Sequence, residues 1–287
     1  MADQFFAKAP SAFKEYNISE DQISALEACI NGDLELEAAT RRLTAHPAAS
    51  PTPLEMQQRL GGLWTLLNNT AVGIPSAQPQ IISVLKKIQT LPNVEEPKGE
   101  GAEFIDLDNG FFWRELTGWA NNWADSYNCE ERAARKEAWT SANAYTARLA
   151  STGNVELSSH GAALERASYT IIKTLEASKG DKEPEELEAA AQLFMHAALE
   201  LHRLCREKHT TGGRYGLWRT GVAGRPRENE LWHGPPGPSV ERWRFWMERW
   251  AAFASVQSFS PHARAAALGA LEAMKKAEGQ GTQILTE

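Results

Sequence analysis

One stretch constrains this chain more than any other. Ser239–Gln257, SVERWRFWMERWAAFASVQ, sets three tryptophans along one side of an amphipathic helix. Val240, Trp243, Trp246, Met247, Trp250, Ala251 and Ala254 recur at i, i+3, i+4, i+7 spacing, and Glu241, Arg242, Glu248 and Arg249 fall mainly between them. Such a helix must be buried, so the rest of the chain has to build the surface that receives the indoles. Its start is sharply marked: Gly234-Pro-Pro-Gly-Pro238 gives no helix interior, and Ser239 can cap the first turn.

The same reading applied upstream gives helix after helix. Ser19-Glu-Asp-Gln22 has the form of a capping box and opens a short helix that Gly32 closes; LELEAATRRLTAH follows at once. Thr52-Pro-Leu-Glu55 opens the next, striped by Leu60, Leu63, Trp64 and Leu67 and ended by Gly73 and Pro75. QIISVLKKIQTL makes a further helix after Pro79. Longer helices are expected over Phe104–Asp125, Glu130–Ala150, Ser158–Ser178 and Glu185–Lys208, and Ser260-Pro261 starts a last one. No alternation of period two persists for six residues and no fixed repeat recurs. The expected fold is therefore all-α, a compact bundle of about nine or ten helices without a sheet.

Residues 92–103, PNVEEPKGEGAE, read as a linker or long loop. They divide a short-helix subdomain, 1–91, from a tryptophan-rich domain, 104–278, with a polar tail over 279–287. Residues 209–238 form the longest irregular segment, with seven glycines and four prolines, and a compact protein rarely keeps such a loop without a use. It is a lid candidate.

Charge and cysteine content exclude several classes. A net charge of -7 opposes sequence-independent binding to nucleic acid, which requires a basic surface. Cys29, Cys129 and Cys205 are odd in number and form no C-x-x-C pair, so neither a disulfide framework nor a zinc knuckle is implied. No apolar run approaches the roughly 20 residues needed to span a bilayer, and the N-terminus lacks a signal-peptide core. A cytoplasmic protein with neither nucleic acid nor membrane as partner is expected, and the sequons at Asn17 and Asn68 then carry no weight.

Several of these residues together carry a resemblance. Phe104-Ile-Asp-Leu107, Trp113-Arg-Glu115, Trp139 with Asn143-Ala-Tyr-Thr-Ala-Arg-Leu149, Leu231-Trp-His-Gly234 and above all Ser239-Val-Glu-Arg-Trp-Arg-Phe-Trp246 resemble a fungal helical family, domain of unknown function 3632. The resemblance covers about residues 104–278. It implies an intracellular all-helical protein, sometimes encoded near secondary-metabolite genes, and brings no catalytic residue with it.

Chemistry has to be argued from the side chains. His202, Cys205 and His209 share one helical face by their spacing and could ligate a transition metal; the simpler reading makes Cys205 a core residue and His209 a cation at a helix C-terminus. With no fourth ligand in reach by sequence, no metal and no cofactor are expected. His196 and Glu200, one turn apart, could form an acid–base pair. Glu165-Arg166 and Glu241-Arg242 read most simply as ion pairs. The chain lacks a phosphate-binding loop, a strand-borne G-x-G-x-x-G, H-E-x-x-H, G-x-S-x-G and D-D-x-x-D. Phosphate, dinucleotide, zincin, serine-hydrolase and terpene-cyclase readings all lack support.

What remains is ten tryptophans, whose first role is core packing. Two functions stay open. The first is binding of a small apolar metabolite, extending to a cofactor-independent cyclase or isomerase of fungal secondary metabolism. Trp232, Arg242 and Trp243 are then expected at the mouth of an indole-lined cavity that lies beside Trp243 and Trp246, all four as candidate ligand contacts and Arg242 as the fixed charge. The second is a non-catalytic helical module whose groove receives a protein partner.

Overall fold

The computed structural model describes residues 2–95, 97, 112–133, 135–158, 164–177, 183–207, 231–234 and 237–283. The described residues are helical, without a strand, as the sequence implies. In chain order they form α1 (Ala2–Ala12), α2 (Glu20–Asn31), α3 (Leu36–Ala48), α4 (Pro53–Gly73), a 3₁₀ turn (Pro75–Ala77) and α5 (Gln78–Ile88). Next come α6 (Trp119–Ala133), α7 (Lys136–Ala150), α8 (Val155–Ser158), α9 (Leu164–Ile171) and a π-helical turn (Ile172–Glu176). α10 (Leu187–Glu207), α11 (Val240–Ser255) and α12 (Pro261–Gln283) complete the fold.

Helix starts fall where the capping signals put them. Ser19 and Gln22 make the reciprocal capping box of α2, and Gly32 closes that helix at φ 81, a conformation a side chain would resist. Thr52 accepts from the Glu55 N–H, Ser239 from that of Arg242 and Ser260 from that of Ala263. Interiors depart more from expectation. Twelve α-helices stand among the described residues, more than the nine or ten expected, because α1 and the short α8 add to them; the expected Glu130–Ala150 helix begins only at Lys136, after Arg135, which is extended. Residues 112–118 are turns, since Leu116 and Gly118 take φ 50 and 76, so α6 begins only at Trp119. The tail expected from residue 279 instead continues α12 through Gln283. Gly279 lowers helix propensity without ending a helix that is already packed. Most of the 92–103 boundary, Phe104–Phe111 and the 209–230 portion of the lid candidate, with His209 and Trp218, lie outside the described residues.

By packing, the chain divides into two compact units: residues 1–134 with 155–162, and residues 135–154 with 163–287. In the first, α4 packs against α3, α5 and α6, burying Leu63, Trp64, Leu66 and Leu67 against a core that includes Leu26, Leu43 and Trp119. Asn68, of the second sequon, is fully buried and hydrogen-bonded there and so carries no glycan. In the second unit α10 is central, packed against α7, α11 and α12. Phe194 of α10 receives the tryptophan seam: its ring centroid lies 6.1, 5.8 and 5.6 Å from those of Trp243, Trp246 and Trp250. Each of these indoles is wholly buried, which contributes up to about 4–6 kcal/mol apiece by area before entropy is subtracted. The buried face of α11 runs Arg242, Trp243, Trp246, Trp250, Phe253, whereas Ala251, expected inside, is exposed.

Candidate functional site

Two places in the second unit bring together side chains capable of chemistry. The first is built on the π-helical turn. Such a turn replaces i→i+4 hydrogen bonds by i→i+5 and recurs at functional sites. Beyond its end the backbone is extended, so the carbonyls of Leu175 and Glu176 are open to other partners: Arg249 Nε donates to the former at 2.9 Å and the Leu231 N–H to the latter at 2.6 Å.

The Glu176 side chain is fully buried and accepts three charge-assisted or indole hydrogen bonds, from Arg242 Nε and Nη2 and from Trp246 Nε1, each at 2.7 Å. Arg242, equally buried, also donates Nη1 to the Gly237 carbonyl at 3.0 Å. Its guanidinium carbon lies 5.8 Å from the ring of Trp232 and 5.7 Å from that of Trp246. Trp232 in turn packs on Phe245, at 5.4 Å between centroids. Gly234 is required beside it, because a Cβ there would come within 2.2 Å of the Trp232 indole.

The structure thus joins three of the four sequence-predicted residues, Trp232, Arg242 and Trp246, around one carboxylate. Trp243 points elsewhere, toward Phe194 and toward His202, whose ring centroid is 4.9 Å away. Glu176 was missed by sequence reasoning. It precedes its partner by 66 residues, and no local pattern marks it.

The second place is a half-open groove of about 730 Å³. It is walled by the end of α7 and the loop after it (Ala150, Ser151, Gly153), by α10 from Met195 to Glu207, and by α12 from Ala273 to Gln280. Its shape depends on a kink. Ala197 leaves helical geometry at φ -133, ψ 23, and the His196 carbonyl accepts instead from the Ser151 hydroxyl. The His196 ring is pulled away from Glu200: Nε2 lies 3.3 Å from Nη2 of Arg148, which can only donate. The expected His196–Glu200 acid–base pair does not form. Glu200 uses both oxygens on Arg203, at 2.9 and 2.5 Å, and Glu207 binds the same guanidinium at 2.5 Å.

Both groove histidines are held toward their neutral forms. Burial, then the Arg148 charge, bring His196 down to about 4; burial, only partly opposed by Glu278, lowers His202 as well. Because Arg148 supplies the proton in its contact with Nε2, the neutral His196 ring carries its own proton on Nδ1. Cys205 lies on the core side of α10, where burial pushes its thiol up to about 12, so it offers no thiolate beside His202. Among the described residues, no cluster of three potential metal ligands occurs, and no helix is long and apolar enough to cross a membrane.

Comparison with known proteins agrees with the resemblance carried by the tryptophan helix. No curated protein and no solved structure matches the chain. The family described as "Protein of unknown function (DUF3632)" matches residues 64–250, more than half of the chain, and the chain belongs to that family.

Proposed function

For a member of this family with such a groove, we propose that the protein binds a small, largely apolar metabolite, and that it does so between α10 and α12 rather than along the Trp246–Arg242 seam. The observation that carries the reading is the groove itself. Its volume of about 730 Å³ falls within the usual range of small-molecule sites, and alanines at 150, 198, 273 and 277 leave it depth. Ala150, Met195, Ala198, Leu199, Ala273 and Ala277 supply its apolar wall, and the two imidazoles among its polar groups are largely uncharged, as an apolar ligand requires. Trp243 supports the site from behind, through His202. The seam, by contrast, already engages the Arg242 charge with Glu176.

The finer assignment, a cofactor-independent cyclase or isomerase of fungal secondary metabolism, draws on His202, whose ring, held toward its neutral form, can accept a proton as a general base. A cytoplasmic setting is supported by the three cysteines, all of them free. A second reading, a non-catalytic interaction module, rests on the exposed Met195 and Leu199 of α10 and Leu268 of α12.

Titration with Nile red, an uncharged apolar fluorescent probe, tests the proposal. One saturable site is expected, lost when Ala273→Phe fills the groove in a variant that keeps its helical circular dichroism. Undiminished binding to that variant would remove the groove from the reading. Protection of Met195 and Leu199 from exchange by a protein partner, with no probe binding at all, would favour the interaction module.

A further inference from the structure

The groove holds a hydrogen-bond donor whose direction is fixed by the fold. His196 is tied to α7 at two points: its carbonyl accepts from the Ser151 hydroxyl, and its ring Nε2 lies 3.3 Å from Nη2 of Arg148. A guanidinium has no lone pair to offer, so Nε2 is the accepting nitrogen and Nδ1 carries the ring proton. With Nε2 turned toward α7, Nδ1 is the nitrogen that His196 leaves to the groove it lines. Burial and the Arg148 charge bring its pKa down to about 4, so this donor stays uncharged through the neutral range.

The polar groups beside it are already used. The Ser151 hydroxyl serves the Ala147 and His196 carbonyls, and the Gly153 N–H donates to the Ala150 carbonyl at 3.4 Å. His202, the other imidazole of the groove, is held by its stacking on Trp243; no hydrogen bond among the described residues fixes which of its nitrogens carries the proton. Around these groups the wall is alkyl, from Met195, Ala198, Leu199 and Ala273.

A single oriented N–H amid alkyl surface matches one kind of polar group. A carbonyl oxygen accepts without bringing a proton of its own, whereas a hydroxyl would also need an acceptor there. We propose that the ligand of the groove is a neutral carbonyl compound, a ketone, ester or lactone, whose oxygen accepts from His196 Nδ1 and whose apolar body lies against Met195, Leu199 and Ala273. Arg148 is the positioning residue: it fixes the tautomer of the donor without touching the ligand. This inference rests on the reading of the groove as a small-molecule site.

Two probes of one shape, 2-acetylnaphthalene and 2-ethylnaphthalene, separate the two claims in equilibrium dialysis. The ketone is expected to bind at least about fivefold more tightly, the worth of one hydrogen bond. His196→Phe should remove that advantage and leave 2-ethylnaphthalene within about twofold, and Arg148→Met should cut the advantage by about half or more. Nitrogen NMR of the imidazoles reads the cause. His196 is expected as the Nδ1–H form in the wild type and displaced toward Nε2–H in Arg148→Met, with His202 unmoved; a merely structural Arg148 would shift neither ring. A wild-type His196 proton on Nε2, a ketone advantage that survives His196→Phe, or equal affinity for two probes that Ala273→Phe abolishes, would overturn the carbonyl inference and keep the groove. Binding that Ala273→Phe does not alter, or no binding of either probe, would overturn the inference together with the site on which it rests.

Discussion

A buried tryptophan N–H finds a side-chain acceptor in each of the two units, but the acceptor is an amide in one and a carboxylate in the other. In the first unit Trp119 Nε1 donates to Asn68 Oδ1 at 3.2 Å, Asn68 Nδ2 to Asn122 Oδ1 at 2.8 Å, and Asn122 Nδ2 to Thr65 Oγ1 at 3.1 Å. Every group in that relay is neutral, so its burial costs only amide desolvation, which the hydrogen bonds offset. In the second unit Trp246 donates to Glu176, whose charge is acceptable in the core only because Arg242 lies against it with both ends of its fork. The amide relay tolerates loss of a member, whereas the ion pair stands or falls as a unit. The pair also ties the start of α11 to the π-helical turn and to Leu231 and Gly237.

The largest effect expected from this contrast is that of Arg242→Met, which leaves the Glu176 carboxylate buried and alone. It should cost about 3–5 kcal/mol in denaturant unfolding, whereas the double variant Glu176→Leu, Arg242→Met should cost clearly less than the single. A single variant costing under about 1 kcal/mol would show that the pair is solvated in solution.

Acid comes next. His196 has a folded pKa of about 4, below its ordinary value of 6.5. The unfolded chain therefore takes up a proton first, and the stability the neutral ring contributes is complete above about pH 6.5 and lost as pH falls toward 4. Between pH 7 and 4.5 the wild type should lose about 1–2 kcal/mol more than His196→Asn, less than the full shift would give because solvent reaches the half-buried ring. Equal pH dependence of the two proteins would place His196 in water.

In the amide relay Asn68→Leu should cost about 1–3 kcal/mol, for the groups of Trp119 and Asn122 left unpaired. A cost as large as that of Arg242→Met would erase the distinction between the two cores. The smallest effect belongs to the exposed Arg42–Asp21 contact, 2.5 Å long at the surface of the first unit. Asp21→Asn should change stability by under about 1 kcal/mol, and less in high salt.

The sequence announced helix starts better than anything that depends on distant partners. Ser19, Thr52 and Ser239 cap helices because the interaction spans three residues and is written locally. Burial of Trp243, Trp246 and Trp250 was legible from their spacing, and the hydrogen-bonded grouping of Trp246 with Arg242 was not. One clue was available: Arg242 lies one turn before Trp246, so it shares the face of the seam and had to find an anion inside. Which anion could not be read, since Glu176 stands on a π-helical turn without sequence signature. The groove was equally hidden. It depends on the kink at Ala197 and on the register of α12 against α10, and both are set by tertiary packing rather than by local propensity.

The placement of the ligand site in the α10–α12 groove, with the Trp246–Arg242–Glu176 cluster as structure, is tested most directly by photo-crosslinking. The reagent is a decanol carrying a diazirine at the far end of its chain, and the modified peptides are mapped by mass spectrometry. Labelling is expected on α10 around Met195–Leu199 and on α12 around Ala273, competed by 1-decanol and absent in Ala273→Phe. Labelling confined to Trp232 and to Arg242–Trp246, indifferent to Ala273→Phe, would contradict it.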